Sequence, residues 1–202
     1  MDTVYQQRYI AHQARKRQQI TEGVGELINH WEPLSQAVYA ALERRRSQRL
    51  FSALPIAPEA VQRVLEAGSW APSSCNRHGI GIKVVEERDE KELLGGLLVG
   101  GVGWMHRAHT VFLLLADPVA YASPNEKAFM HYCDAGFLAM SMWLAAEAEG
   151  LGACYINPNI KHKEIFDEKF GKGRIFVGAL CIGRYDKRVL PAERVNVSDI
   201  VI

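Results

Sequence analysis

Arg44-Arg45-Arg46-Ser47-Gln48-Arg49 puts four arginines and a serine within six residues. Guanidinium groups are permanently charged forks of N–H donors that match the oxygens of a phosphate or another compact anion, and a serine hydroxyl adds one more donor. If the backbone gathers these heads, the run is an anion site. If it does not, the run is a solvated basic helix end whose cations complement the helix dipole. A second donor-rich stretch, Ala71-Pro72-Ser73-Ser74-Cys75-Asn76, follows where a helical pattern stops at proline.

The elements that must position these groups can be read in order. Pro33 and Ser35 predict a helix from Gln36 to Arg46, with Ser35 as its N-cap. Pro58 suits the first turn of a helix over Glu59–Gly68, where Val61, Val64 and Leu65 form an apolar stripe. Gly79–Val85 reads as a strand, Asp89–Leu98 as a helix, and Gly100–Gly103 as a flexible link. Thr110–Ala116 is a continuous apolar run, the pattern of a strand covered on both faces. After Pro124-Asn125 the longest helical pattern runs from Glu126 to Glu149. Its middle, Ala135–Ala146, is apolar nearly all round, so it is buried by other elements or by a second subunit. Ala153–Ile156 is a short strand, Ile160–Phe170 a helix and Ile175–Arg184 a core strand, and the tail Val195–Ile202 has weak strand character. Helices first, then strands separated by helices, predict an α+β layered sheet. Residues 1–35 form a polar, weakly amphipathic helical arm and residues 36–202 the main domain.

Composition narrows the function classes. With 202 residues, 48% apolar and a formal net charge of +1, the chain supports one sizeable core and has no global basic field. Nucleic acid is therefore not the expected partner, and the arginines are a local feature. The four cysteines, Cys75, Cys133, Cys154 and Cys181, include no C-x-x-C pair and read as mostly buried thiols of a reducing compartment. Met1–Gln19 is polar throughout, unlike a signal peptide. The uncharged run Leu93–Met105 is too short to span a bilayer, so a soluble, cytoplasmic protein without membrane contact is expected. No dinucleotide-binding glycine fingerprint, P-loop or nucleophile elbow occurs. His106 and His109 share a helical spacing but lack an acidic or cysteine partner for a metal, and no metal is expected. His131 reads as a hydrogen-bonded core or interface histidine.

Arg45-Arg46-Ser47-Gln48-Arg49 with Phe51, then Ala71-Pro72-Ser73-Ser74-Cys75-Asn76, then Asp134-Ala135-Gly136 leading to Leu144-Ala145-Ala146 and Gly150-Leu151-Gly152, then Val177–Gly183 with Lys187-Arg188, together resemble the nitroreductase family of flavin enzymes. The match covers roughly residues 40–195 in order.

The resemblance implies an α+β nitroreductase-like fold: a central mixed sheet flanked by helices, in an intertwined homodimer that binds FMN at each end of the subunit interface. It implies that Arg45 meets the FMN phosphate and that Arg49 lies by the flavin pyrimidine, where a cation stabilises the anionic reduced ring. Arg46 belongs to the same motif, and Ser47 adds a hydroxyl. Ser73, Ser74 and Asn76 approach from the other subunit. Tyr155, Ile156 and Asn157 pass the ring near N5, with the backbone N–H of Asn157 as the donor that Pro158 cannot be. Lys187 and Arg188 complete the phosphate site.

The implied activity is ping-pong: NADH or NADPH gives hydride to flavin N5, and a nitroaromatic, quinone or similar small acceptor takes the electrons from the same face. Hydride transfer needs no protein acid or base, so no catalytic side chain is assigned. Two departures stand out. His78-Gly79-Ile80 replaces the family's usual Gln-Pro-Trp after Asn76, and the stretch Asp117–Phe129 is short for a substrate lid, leaving an open site and no support for dehalogenase activity. Tyr121 and Lys127 line the mouth of the pocket or belong to a solvated loop. A flavin-binding sensor or storage protein without nicotinamide turnover, and a non-enzymatic dimeric interaction protein, remain the readings from other classes.

Overall fold

The computed structural model describes residues 31–202, and residues 1–30 of the expected arm lie outside it. The described residues fall into two units that part after Glu43. The first unit holds all but the end of helix α1, Trp31–Arg44. Pro33 sits in the first turn of this helix, where a missing N–H costs no helical bond. The helix therefore starts before Ser35, and the expected boundary at residue 35 falls inside it. It also ends two residues earlier than expected, releasing Arg45 and Arg46 from helical geometry.

The second unit is built on a four-stranded sheet. Its strands are β1 (Ile80–Val85), β2 (Thr110–Ala116), β3 (Gly152–Ile156) and β4 (Ile175–Gly183), in the order β1-β2-β4-β3. All three pairings are antiparallel. Parallel pairing among the described residues is confined to a one-residue bridge between Ser47 and Ala153. β2 is buried along its whole length, as its unbroken apolar run requires.

Alternate residues of β2 serve different layers. Phe112 packs with Val61 and Val64 of helix α2 (Pro58–Ser69), with Met142 of helix α4 (Pro124–Ala148) and with Leu180 and Ile182 of β4. Leu113 and Leu115 pack with Leu94 and Leu97 of helix α3 (Arg88–Leu97), and with Phe166 and Phe170. Period-2 alternation thus puts α2 and α4 on one face and α3 with the 166–170 turn on the other.

α4 begins with a capping box. Ser123 Oγ accepts from Glu126 N, the Glu126 carboxylate accepts from Ser123 N, and Pro124 occupies the first turn. Its inner face carries Ala135, Ala139, Met142 and Ala146, while Phe129, Tyr132 and Phe137 are exposed on it.

Two expected elements differ. The helix expected from Ile160 is a single α-turn, α5 (Lys163–Phe166), followed by a π-turn over Asp167–Gly171. The tail forms a short 3-10 turn at Val197–Asp199 rather than a strand, with Val195, Val197, Ile200 and Val201 exposed. No helix among the described residues is long and apolar enough to cross a membrane.

Candidate functional site

After α1 the chain turns extended and lies along the open edge of β3. Ser47 bridges Ala153, Gln48 N donates to Ala153 O at 2.9 Å, and Ser52 N donates to Arg184 O at 2.8 Å. The site depends on Gln48, a buried polar side chain that is 1% exposed. Its amide nitrogen donates to Leu50 O and Lys187 O, both at 3.0 Å, and its amide oxygen accepts from Val189 N at 3.1 Å. One side chain therefore ties the arginine segment to the segment after β4, satisfying three main-chain groups that burial would otherwise leave bare.

Two glycines paired across β3 and β4 make room for this clasp. A Cβ on Gly152 would stand 2.5 Å from Gln48 Cγ, and one on Gly183 would stand 2.5 Å from Phe51 Cδ1. Only residues without side chains let the segment approach the sheet so closely.

The clasp creates a cleft of about 330 Å³ lined by Arg45, Arg46, Ser47, Arg49 and Arg194, closed by Val189, Leu190 and Ala192. Four guanidinium-bearing residues meet there and no carboxylate lines the cleft. The Arg45 guanidinium stacks on Trp143 at 4.4 Å, and its buried Nε has no hydrogen-bond partner among the described residues. Burial, then repulsion from Arg194 and Arg46, pushes the Arg45 pKa down against the opposing pull of Glu147. Arg49 is exposed and faces Trp104 at 5.9 Å.

Arg188 lines no part of this cleft. It donates to both oxygens of Glu147 at 2.7 and 2.8 Å, to Tyr185 Oη at 2.8 Å, and to Arg44 O. Glu147 also lies 3.5 Å from Arg44 Nε, so it holds those two arginines while Arg45, Arg46, Arg49 and Arg194 line the cleft. Lys187 is exposed and contributes its carbonyl to Gln48. Sequence reasoning missed Arg194 and Gln48. The spacing from Arg49 gives no hint of either, since the clasp joins residues about 140 apart.

The second donor cluster forms around Asp134, which is 2% exposed. Its Oδ1 accepts from Ser74 N and Ser74 Oγ, both at 2.9 Å, and its Oδ2 accepts from the Tyr121 phenol at 2.9 Å. Tyr121 is therefore neither a pocket-mouth residue nor part of a solvated loop: it is 1% exposed, and burial followed by its bond to Asp134 pushes its pKa well up. Ser73 Oγ accepts from His78 N, and Asn76 Oδ1 lies 3.0 Å from His78 Nε2. Cys75, Asn76 and His78 all take positive φ, so the loop turns in left-handed steps that its own hydrogen bonds hold. Ser73 lines an apolar pocket of about 400 Å³ with Leu65, Ala71, Asp134 and Leu138, and shares no pocket with the arginines.

Tyr155, Ile156 and Asn157 stand at the end of β3. The Tyr155 phenol donates to Val177 O at 2.7 Å, Ile156 is in the core and Asn157 is exposed. His131 is 4% exposed, with its ring against those of Tyr132 and Tyr121, and burial pushes its pKa down. Among the described residues no cluster of potential metal ligands occurs.

Comparison with known proteins finds relatives in sequence and in fold. A model of the nitroreductase family matches residues 42–102 and 97–184. The chain is 27% identical over 180 residues to the FMN reductase [NAD(P)H] of Bacillus subtilis strain 168, covering 79% of this chain and 72% of that protein. It is 27% identical over 152 residues to the NADPH-flavin oxidoreductase of Vibrio harveyi, covering 70% of this chain but 63% of that protein. The fold superposes on the NADPH:FMN oxidoreductase from Vibrio harveyi complexed with NAD+ with a TM-score of 0.73 at 24% identity, over 82% of this chain and 76% of that one.

Proposed function

The chain belongs to the nitroreductase family, and from that premise we propose that it is an FMN-dependent oxidoreductase that takes electrons from NADH or NADPH. The acceptors we assign are small molecules such as nitroaromatics or quinones. The observation that carries this reading is the cleft of Arg45, Arg46, Arg49 and Arg194, with no carboxylate in its lining and an unpartnered buried Nε on Arg45. Such a donor set suits a phosphate or another compact anion, and the family points to the FMN phosphate. Two relatives carry names that describe flavin reduction by a nicotinamide nucleotide.

Bound FMN supplies the hydride chemistry at its N5. The protein's part is to bind and orient. Arg45, Arg46, Arg194 and the Ser47 hydroxyl hold the phosphate, and Arg188, fixed on Glu147 and Tyr185, braces the wall beside Lys187. Arg49 places a cation by the pyrimidine ring, and Tyr155, Ile156 and Asn157 pass its edge. Ser73, Ser74 and Asn76 line no part of the arginine cleft, and we assign them to the flavin held by a second copy, in a homodimer with a site at each end of the interface. The exposed aromatic residues of α4 support such an interface. Free thiols throughout fit a cytoplasmic setting.

Equilibrium titration with FMN tests the assignment. Arg45→Ala or Arg194→Ala weakens FMN binding by about tenfold or more, the size of a charge-assisted hydrogen bond. Arg184→Ala, on an exposed guanidinium outside the cleft, leaves it unchanged. Equal affinities in all three variants contradict the site.

A further inference from the structure

A second cavity, of about 830 Å³, shares no residue with the arginine cleft. One wall carries Arg88, Lys91, Arg107, His106 and His109, opposed by a single carboxylate, Glu86. Three permanent cations face one anion before either histidine is protonated. The other wall is apolar, with Phe51, Ala53, Leu54 and Ala108.

Two observations show that the polar wall is built rather than merely solvated. Lys91 is 7% exposed, yet its ammonium meets no carboxylate: it donates to Ala108 O at 2.8 Å and His109 O at 2.9 Å, and its third N–H has no partner among the described residues. Burial pushes its pKa down against the pull of Glu86 and Glu87, so the charge is held at a cost that a bound anion would relieve. Independently, Ser52 lines the cavity, and its buried Oγ has no hydrogen-bond partner among the described residues. Thr110 Oγ1 holds the only lining carboxylate by donating to Glu86 at 3.2 Å, and lies 2.9 Å from His109 Nδ1.

We propose that this cavity is a separate phosphoryl-binding site that takes a phosphate monoester of nucleotide size. Arg88, Arg107, Lys91 and the Ser52 hydroxyl are donors suited to a dianion. The volume lies within the range of pockets that hold whole cofactors and far exceeds a lone phosphate, and the apolar wall is the complement of a sugar and base. The inference does not depend on flavin binding.

Calorimetric titration of the FMN-saturated protein at low ionic strength tests it, with adenosine 5′-monophosphate, inorganic phosphate and adenosine as probes. Saturable binding of the monophosphate, weaker binding of phosphate and none of adenosine are expected. Phosphate binding as tightly as the nucleotide overturns the nucleotide-sized ligand. Arg88→Glu and Arg107→Glu change exposed residues and spare the core. Each weakens the nucleotide by about tenfold or more and leaves FMN affinity unchanged. Lys91→Met abolishes nucleotide binding if the variant folds. No saturable heat from either phosphate probe overturns the proposal, as does nucleotide binding that survives both glutamate variants or is lost only with Arg45→Ala. The same titrations on protein without FMN separate failure here from failure of the flavin assignment.

Discussion

Asp134 shows how one buried carboxylate can place a loop. It is surrounded by donors rather than by a cation, and its three bonds fix two segments: the Ser74 main chain and hydroxyl on one, the Tyr121 phenol on the other. A buried acceptor deprived of one donor bears a desolvation cost beyond the lost bond. Tyr121→Phe keeps the ring's packing and removes only the phenol, so it lowers unfolding stability by about 1–2 kcal/mol, read from denaturant midpoints at unchanged slope. No change in midpoint would show that the phenol–carboxylate bond does not hold the loop. Gln48 does comparable work with three bonds to main-chain groups. Neither role is visible from residue type. A glutamine between Ser47 and Arg49 reads as surface because two of its partners lie about 140 residues away, and a tyrosine after Asp117-Pro118 reads as a loop because its partner sits on the next helix.

At the scale of elements, regular structure was legible where the apolar period was long and the ends were marked. β2 has the boundaries its apolar run predicts, α2 starts at Pro58, and α4 spans nearly its whole pattern. The misreadings fall where local punctuation misleads. Ser35 looked like an N-cap but lies inside α1, and the pattern from Ile160 looked like one helix but divides into an α-turn and a π-turn. The arginine run was legible as chemistry, while its geometry was not, since gathering the heads requires α1 to end at Arg44 and the next residues to follow the edge of β3.

The start of α4 gives a prediction of its own. Glu126 closes the capping box and accepts from Arg77 at 2.7 Å, and this bond holds its pKa below the ordinary 4.5. A carboxylate whose folded pKa is depressed contributes stability that is complete above its unfolded value and is lost as pH falls through the folded one. Glu126→Gln retains a cap but no charge. The wild type is therefore more stable than the variant at neutral pH, and the gap in Tm narrows as pH falls below about 4.5. A gap that stays constant into the acid range would assign the effect to packing instead.

Among the described residues, large apolar side chains are exposed on α4 and on the tail. Phe129, Tyr132 and Phe137 stand on one long helix, and Val195, Val197, Ile200 and Val201 follow on the tail. Grouped exposure of this kind marks an interface. On the proposed assignment, a homodimer would bring the two donor clusters to one flavin and cover this surface. Phe137→Asp puts a charge on that helix without touching either cluster. Sedimentation should show the wild type as a dimer and the variant shifted toward monomer, with FMN retention falling in step. A monomer that keeps its flavin would separate the interface from the site.

The central claim is that this fold holds FMN and reduces it with a nicotinamide nucleotide. The visible absorption spectrum of the purified protein, recorded before and after anaerobic addition of NADPH and then of NADH, tests it most directly. Flavin bands that bleach with either nucleotide and return when a quinone is added are the predicted result. Flavin that neither nucleotide bleaches, or a protein that stays colourless after incubation with FMN, would contradict it.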